Sequence, residues 1–279
     1  MGSREPPRRS SSRSHGVERS LQAEVVAEPL ADYVSNQSAR GQARLYAEHD
    51  ALMRRERHIW KYNRNSDKNR NPASVCYNEG AVELTTSNKK EEKLDKDRTY
   101  INANHLRSPY GDFVLAQAPM ANTLIDWFRM IWQLKIAIVV CLTDPENVAS
   151  CEPYFKLREN QTLKATSSVG DGTEVPPILV HGCNGVSRTA AFVATCMMCK
   201  TLQTTGEMSP LEVWARLNHA RHNAAKERVH FLSSIECALL FAVDIGLLSA
   251  NNPHLAEVNK MFRRAYDEEL KKEKPASEQ

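Results

Sequence analysis

The chain has 279 residues, 41% hydrophobic and 25% charged, which is enough apolar material for one large core or two small ones and excludes disorder throughout. Its 37 basic and 34 acidic side chains leave a net charge of +3, too balanced to imply nucleic-acid binding by electrostatics. The longest apolar runs, Ile136–Leu142 and Cys237–Val243, fall far short of the roughly 20 residues that cross a bilayer, so no membrane span is expected. The opening Met1-Gly2-Ser3-Arg4-Glu5-Pro6 has no secretory apolar segment, and Pro6 stands where a myristoylation signal needs Ser or Thr. A cytoplasmic location is the expectation. The seven cysteines at 76, 141, 151, 183, 196, 199 and 237 are odd in number and irregularly spaced, as suits reduced thiols. Cys196-x-x-Cys199 lacks a second pair, so neither a metal nor another cofactor is expected.

Residues 1–20 carry five Arg against two Glu, with many Ser and few apolar side chains, and read as a disordered basic arm. Helical spacing over 21–59, interrupted at Pro29 and Gly41, predicts two short helices packed on a domain. Strand-like pieces follow at Val75–Tyr77 and Ala81–Leu84, then a strand pair at Tyr100–Leu106 and Phe113–Gln117 around the turn Ser108–Gly111. Asn122 or Thr123 can cap a helix with Leu124, Trp127, Phe128, Ile131 and Leu134 on one face. Ile136–Leu142 is a continuous β-branched run, expected to be a strand buried on both faces. Pro177–His181 is a second such strand, feeding the loop Gly182–Ser187 and a helix from Arg188 to about Leu202. Ser209-Pro210-Leu211-Glu212 and Ser233-Ser234-Ile235-Glu236 each read as a capping box opening a helix. An amphipathic helix, His254–Lys272, precedes a charged tail. The pattern is α/β with a largely buried sheet.

A buried strand that runs through a short Gly-containing loop into a helix aims loop amides and the helix N-terminus at one point, which makes an anion site. Arg188 at the helix start adds a bidentate donor for phosphate oxygens. The string Val180-His181-Gly182-Cys183-Asn184-Gly185-Val186-Ser187-Arg188-Thr189-Ala190 resembles the signature of the protein tyrosine phosphatases, tyrosine-specific type: His-Cys, five residues with a central Gly, then Arg and Ser or Thr. Further segments resemble that family in order. They are Lys68-Asn69-Arg70, Tyr100-Ile101-Asn102-Ala103-Asn104, Phe113–Pro119, Asp126-Trp127-Phe128-Arg129-Met130-Ile131-Trp132 and Cys151-Glu152-Pro153-Tyr154-Phe155. The resemblance implies a central mixed sheet flanked by helices over 60–250; residues 251–279 read from their own pattern as a C-terminal helix and charged tail. It also implies that Cys183, Asn184, Gly185, Val186, Ser187, Arg188 and Thr189 line a phosphate cradle.

The departures bear on activity. The family nucleophile is a low-pKa thiolate directly after His; here that position is Gly182. Cys183, the alternative nucleophile, leaves four residues before Arg188 where the cradle needs five, which removes an amide and misplaces the sulfur for in-line attack. The resemblance calls for a general acid on a Trp-Pro-Asp loop. The twenty-five residues between Phe155 and His181 contain no Trp and no Pro-Asp. Their single Asp, Asp171, sits in a turn-like Val169-Gly170-Asp171-Gly172. The short interval also implies missing strands, either a genuine loss or an incomplete gene. The two water-orienting Gln positions of the family correspond to Ser233 and Cys237, and the residue expected to clamp a phosphotyrosine ring is Asn71 in place of Tyr. Ser187 adds a Cβ at a usual Gly position. The reading is a catalytically inactive pseudophosphatase that binds a protein partner or acts as a scaffold. Residual phosphate binding to a tyrosine-phosphorylated partner is one version of it. An active phosphatase acting through Cys183 is the alternative.

Overall fold

The computed structural model describes residues 27–52, 57–85, 98–144, 147–154 and 175–273. The basic arm and the interval containing Asp171 lie outside them. Strands β1 (Glu28–Pro29), β2 (Ala81–Glu83), β3 (Tyr100–Ser108), β4 (Gly111–Gln117), β5 (Ile138–Cys141), β6 (Ile178–Gly182) and β7 (Glu207–Met208) alternate with helices. These are α1 (Leu30–Leu52), α2 (Trp60–Arg64), α3 (Leu124–Gln133), α4 (Ser187–Thr205), α5 (Pro210–Ala220), α6 (Arg228–Asp244) and α7 (Pro253–Glu273). A mixed five-stranded sheet runs in the order β2-β3-β4-β6-β5. β2, β3 and β4 are antiparallel neighbours, while β6 is parallel to both β4 and β5.

Alternation along the strands divides the core between the two faces. Val114 and Ala116 of β4 and Leu179 of β6 pack with Trp127 and Met130 of α3. Phe113, Leu115 and Val180 point the other way, against Val193, Ala194 and Met197 of α4 and onward to Trp214 of α5 and Phe231 of α6. Among the described residues the sheet is therefore covered by α3 on one side and a helical layer on the other, as the α/β reading expects.

Five local expectations change. The run 136–142 yields a strand of only four residues, β5, which is an edge of the sheet among the described residues, and Ile138 is 54% exposed. A continuous apolar run does not reveal whether a neighbour will cover both faces. No strand forms at 75–77, although Cys76 and Tyr77 are buried. The buried side of α3 is Asp126, Trp127 and Met130, with Phe128 turned out. The second capping box lies inside α6: Ser233 Oγ and Ser234 Oγ donate back to the carbonyls of His230 (3.1 Å) and Phe231 (2.8 Å), a bonding pattern open to serine within a helix. At Ser209 the helix does begin with Pro at its first turn, but without a side-chain cap, because Glu212 is drawn to Arg216 and Tyr110.

Candidate phosphate-binding loop

Parallel pairing of β4 with β6 places Gln117 opposite Gly182, and the Ala118 amide donates to the Gly182 and Cys183 carbonyls at 3.0 and 3.1 Å. The loop leaving β6 is thereby pinned to the end of β4. Gly185 turns it with φ +65°, and a Cβ there would lie 2.1 Å from the Ala116 carbonyl oxygen, so only glycine fits. The first intrahelical bond of α4 runs from the Ala190 amide to the Val186 carbonyl, 2.8 Å. The amides of Ser187, Arg188 and Thr189 belong to the first turn, whose N–H groups have no intrahelical acceptor.

Below the loop, His181 is fully buried, with its Nε2 hydrogen-bonded to the Tyr154 hydroxyl at 2.7 Å and Trp127 packed edge-on to its ring. Burial pushes its pKa down to about 4, which keeps the imidazole neutral. Thr189 is buried and its hydroxyl has no hydrogen-bond partner, so it does not cap α4. A Cβ built on Gly182 would come 3.1 Å from that hydroxyl. The place where a side chain at 182 would begin is thus bare backbone beside an unpaired Thr189. Cys183 is half-buried. It lies near Cys151, whose thiol is pushed up to about 11, chiefly by burial, with Cys141 and Cys183 adding to the effect. Arg188 is exposed and makes no hydrogen bond or ion pair among the described residues.

Gln117 also joins the 68–71 segment to the loop. Its Oε1 accepts from the Arg70 amide at 3.1 Å and its Nε2 donates to the Lys68 carbonyl at 2.8 Å. Lys68 pairs with Asp126 of α3 at 3.0 Å, and Asn69 Oδ1 accepts from Tyr100 OH and Asn102 Nδ2. Asn71 spends its side chain on the Ala73 amide, 2.8 Å away, and has no ring to offer.

Two sets of residues at the loop were not anticipated from sequence. Arg221, fully buried at the end of α5, donates Nε to the Gly185 carbonyl (3.1 Å), Nη2 to the Asn184 carbonyl (3.1 Å) and Nη1 to Asn104 Oδ1 (2.8 Å). The guanidinium fork holds the loop from beneath. Nothing in its sequence surroundings marks it, because an isolated Arg at a helix end is ordinarily solvent-exposed. The second set is Glu227 and His230, at the start of α6. Their ring and carboxylate pair at 2.9 Å, and the Glu227 carboxyl is held below its usual range, His230 foremost, with Ser187 and Lys226 adding to the effect. Ser233 and Cys237 lie further along α6. Cys237 is exposed and beside Cys199, twelve residues from Ser187 along α4 and therefore about 18 Å from the loop at 1.5 Å per residue.

The family model for protein-tyrosine phosphatase matches residues 65–171 and 159–240, in two pieces that meet in the interval where the acid-loop segment is not found. Similar proteins include tyrosine-protein phosphatase non-receptor type 5 of Rattus norvegicus, 23% identical over 184 residues, which are 44% of this chain and 50% of the relative. Non-receptor type 7 of Homo sapiens is 25% identical over 182 residues, 44% of this chain and 51% of the relative. Non-receptor type 12 of Homo sapiens is 35% identical over 97 residues, 33% of this chain and 12% of the relative. The matches thus span about half the length of the first two relatives. The fold is similar to a solved structure described as the structural basis of PTPN18 fingerprint on distinct HER2 tyrosine phosphorylation sites, with a TM-score of 0.56 at 15% identity, over 72% of this chain and 95% of that one. On these matches and this arrangement of sheet, loop and helix, the chain belongs to the protein-tyrosine phosphatase family.

Proposed function

We propose that this protein is a pseudophosphatase of phosphotyrosine signalling, a protein-binding or scaffold module that does not hydrolyse phosphate. The observation that carries the reading is Gly182 at the end of β6: the position directly after His181 offers no atom to accept a phosphoryl group. The neighbouring thiol does not replace it, because Cys183 follows the β6 register by one residue and leaves four residues before Arg188 where the cradle needs five. The cradle residues from Cys183 to Thr189 keep a turn, a helix N-terminus and the exposed cation Arg188. That set can attract an anion, but with Ser187 at its rim and Asn71 in place of a ring clamp it is expected to bind phosphate no better than millimolar, roughly −4 kcal/mol.

In this reading the domain is 60–250, with 21–59 and 251–279 flanking it. No helix among the described residues is long and apolar enough to cross a membrane, and the cysteines among them are all free, which favours the reducing cytoplasm.

The test is phosphate release from a phosphotyrosine peptide by the full chain. Turnover is expected to equal a buffer control. Turnover above that control and abolished by Cys183→Ser would establish the shifted thiol as nucleophile and overturn the reading.

A further inference from the structure

Among the described residues β5 ends the five-stranded sheet, with β6 on its one paired side. The Leu142 amide donates to the His181 carbonyl at 2.8 Å, so the backbone groups of even-numbered residues here face β6. Successive residues of a strand aim their N–H and C=O groups to opposite sides, and those of Val139 and Cys141 therefore face outward. Such an edge is a template for another strand. Nothing within Ile138–Cys141 blunts it, since the four residues include no charge and no Pro, and Ile138 is 54% exposed. Lys135, three residues before β5, and Asp144, three residues after it, are both exposed, which puts opposite charges at the two ends of one edge. Over the same part of the sheet, Arg129 and Gln133 of α3 reach the carbonyls of Arg98, Thr85 and Glu83 on the β2 side. At 3.6 residues per turn, Phe128 and Ile131 then lie on the flank of α3 turned toward β5, and Phe128 is exposed.

We propose that β5 is a self-association edge whose occupant is a second copy of this chain, paired antiparallel about a two-fold axis at Val140. Antiparallel pairing sets outward-facing residues opposite each other, so Val139 meets Cys141 of the second copy and Cys141 meets its Val139. Each such pair exchanges two N–H···O bonds, and the contact is isologous and closed. Ile138 then stands opposite Leu142 of the second copy in a non-hydrogen-bonded pair, where side chains come closest, and its exposed side chain is covered. The same register carries Asp144 opposite Ile136 of the second copy, one residue from its Lys135, and does so at both ends of the interface. Charge therefore selects the antiparallel arrangement, because parallel pairing of two identical edges would bring Lys135 to Lys135 and Asp144 to Asp144. The axis is normal to the sheet, so both α3 helices fall on one face of the joined sheet with their Phe128 and Ile131 flanks toward each other.

The experiment is sedimentation velocity of the full chain at low salt, from about 1 μM upward so that micromolar affinities are covered. The 31.5 kDa chain is expected to shift toward twice its mass as concentration rises. Ile138→Lys places a charge on the edge at an exposed position and is expected to stay monomeric. Lys135→Asp and Asp144→Lys are each expected to weaken the dimer about tenfold, because like charges then meet at both ends with little screening. The double variant Lys135→Asp with Asp144→Lys is expected to restore it. Melting curves show which variants fold, and if Ile138→Lys does not, the charge-swap series decides. Hydrogen exchange supplies a second readout: the Val139 and Cys141 amides are expected to gain protection as the dimer forms. A chain that is monomeric at every concentration, a dimer that Ile138→Lys leaves intact, or a double variant that does not recover overturns the proposal. Protection of those two amides in the monomer also overturns it, by showing that the chain covers its own edge.

Discussion

Two arginines flank the same loop, and their opposite environments predict opposite costs of removal. Arg221→Met keeps an apolar stem and deletes the guanidinium. The Asn184 and Gly185 carbonyls lose their donor, while Asn104 Oδ1 retains only the Cys76 thiol at 3.4 Å. A buried acceptor left without a partner costs about 1–3 kcal/mol. Against that stands relief from burying a cation whose bonds go to neutral oxygens, the burial that lowers the Arg221 pKa. The net loss expected is about 2–4 kcal/mol. At about 2–4 °C per kcal/mol for a domain of this size, the melting temperature should fall by about 5–15 °C. Arg188→Met removes a side chain that is exposed and unpaired among the described residues, and should stay within about 0.5 kcal/mol of the parent. Thermal unfolding of the three proteins at neutral pH, with amide exchange at residues 183–186 as a local readout, makes the comparison. A melting point for Arg221→Met within 2 °C of the parent, or an equal loss from Arg188→Met, would refute the assignment of Arg221 as the brace of the loop.

Further outcomes follow from the same geometry. Gly185→Ala forces a Cβ to 2.1 Å from the Ala116 carbonyl at φ +65°, so it should cost about 3 kcal/mol or more in denaturant unfolding; a loss under about 1 kcal/mol would show that the loop can relax. Gly182→Cys meets Thr189 Oγ1 at 3.1 Å, a fit that needs only a small adjustment. It should fold and yet hydrolyse aryl phosphates feebly, because the 10²–10⁴-fold contribution typical of a general acid is missing. Fast cleavage of good and poor leaving groups alike would reveal an acid within 156–180. His181 titrates at about 4 when folded, below the roughly 6.5 of an unfolded imidazole, so the folded state binds fewer protons. Its contribution is intact above about pH 6.5 and is lost as pH falls toward 4, by up to about 3 kcal/mol. Urea unfolding of the parent and His181→Gln across that range should show a steeper loss in the parent, and parallel curves would count against a buried neutral His181.

The order of strands and helices from Tyr100 to Leu202 was legible in the sequence because each element carries its own period and its own boundary. Apolar runs of strand length stop at Gly182 and at the turn Ser108–Gly111, and Gly185 marks a place where the backbone must turn tightly against β4. The missing thiol at 182 needed no structure either, since a residue type alone decides whether a nucleophile exists. What depended on neighbours was hidden. The edge position of β5 follows from which strands flank it, and the start of α6 at Arg228 follows from serines bonding back to their own helix. The group that braces the loop, Arg221, lies 33 residues beyond Arg188 and has no motif of its own. Only folding brings the end of α5 beneath the loop, where a buried fork can satisfy its carbonyls. The partners of a buried side chain depend on distances through space that chain separation does not encode.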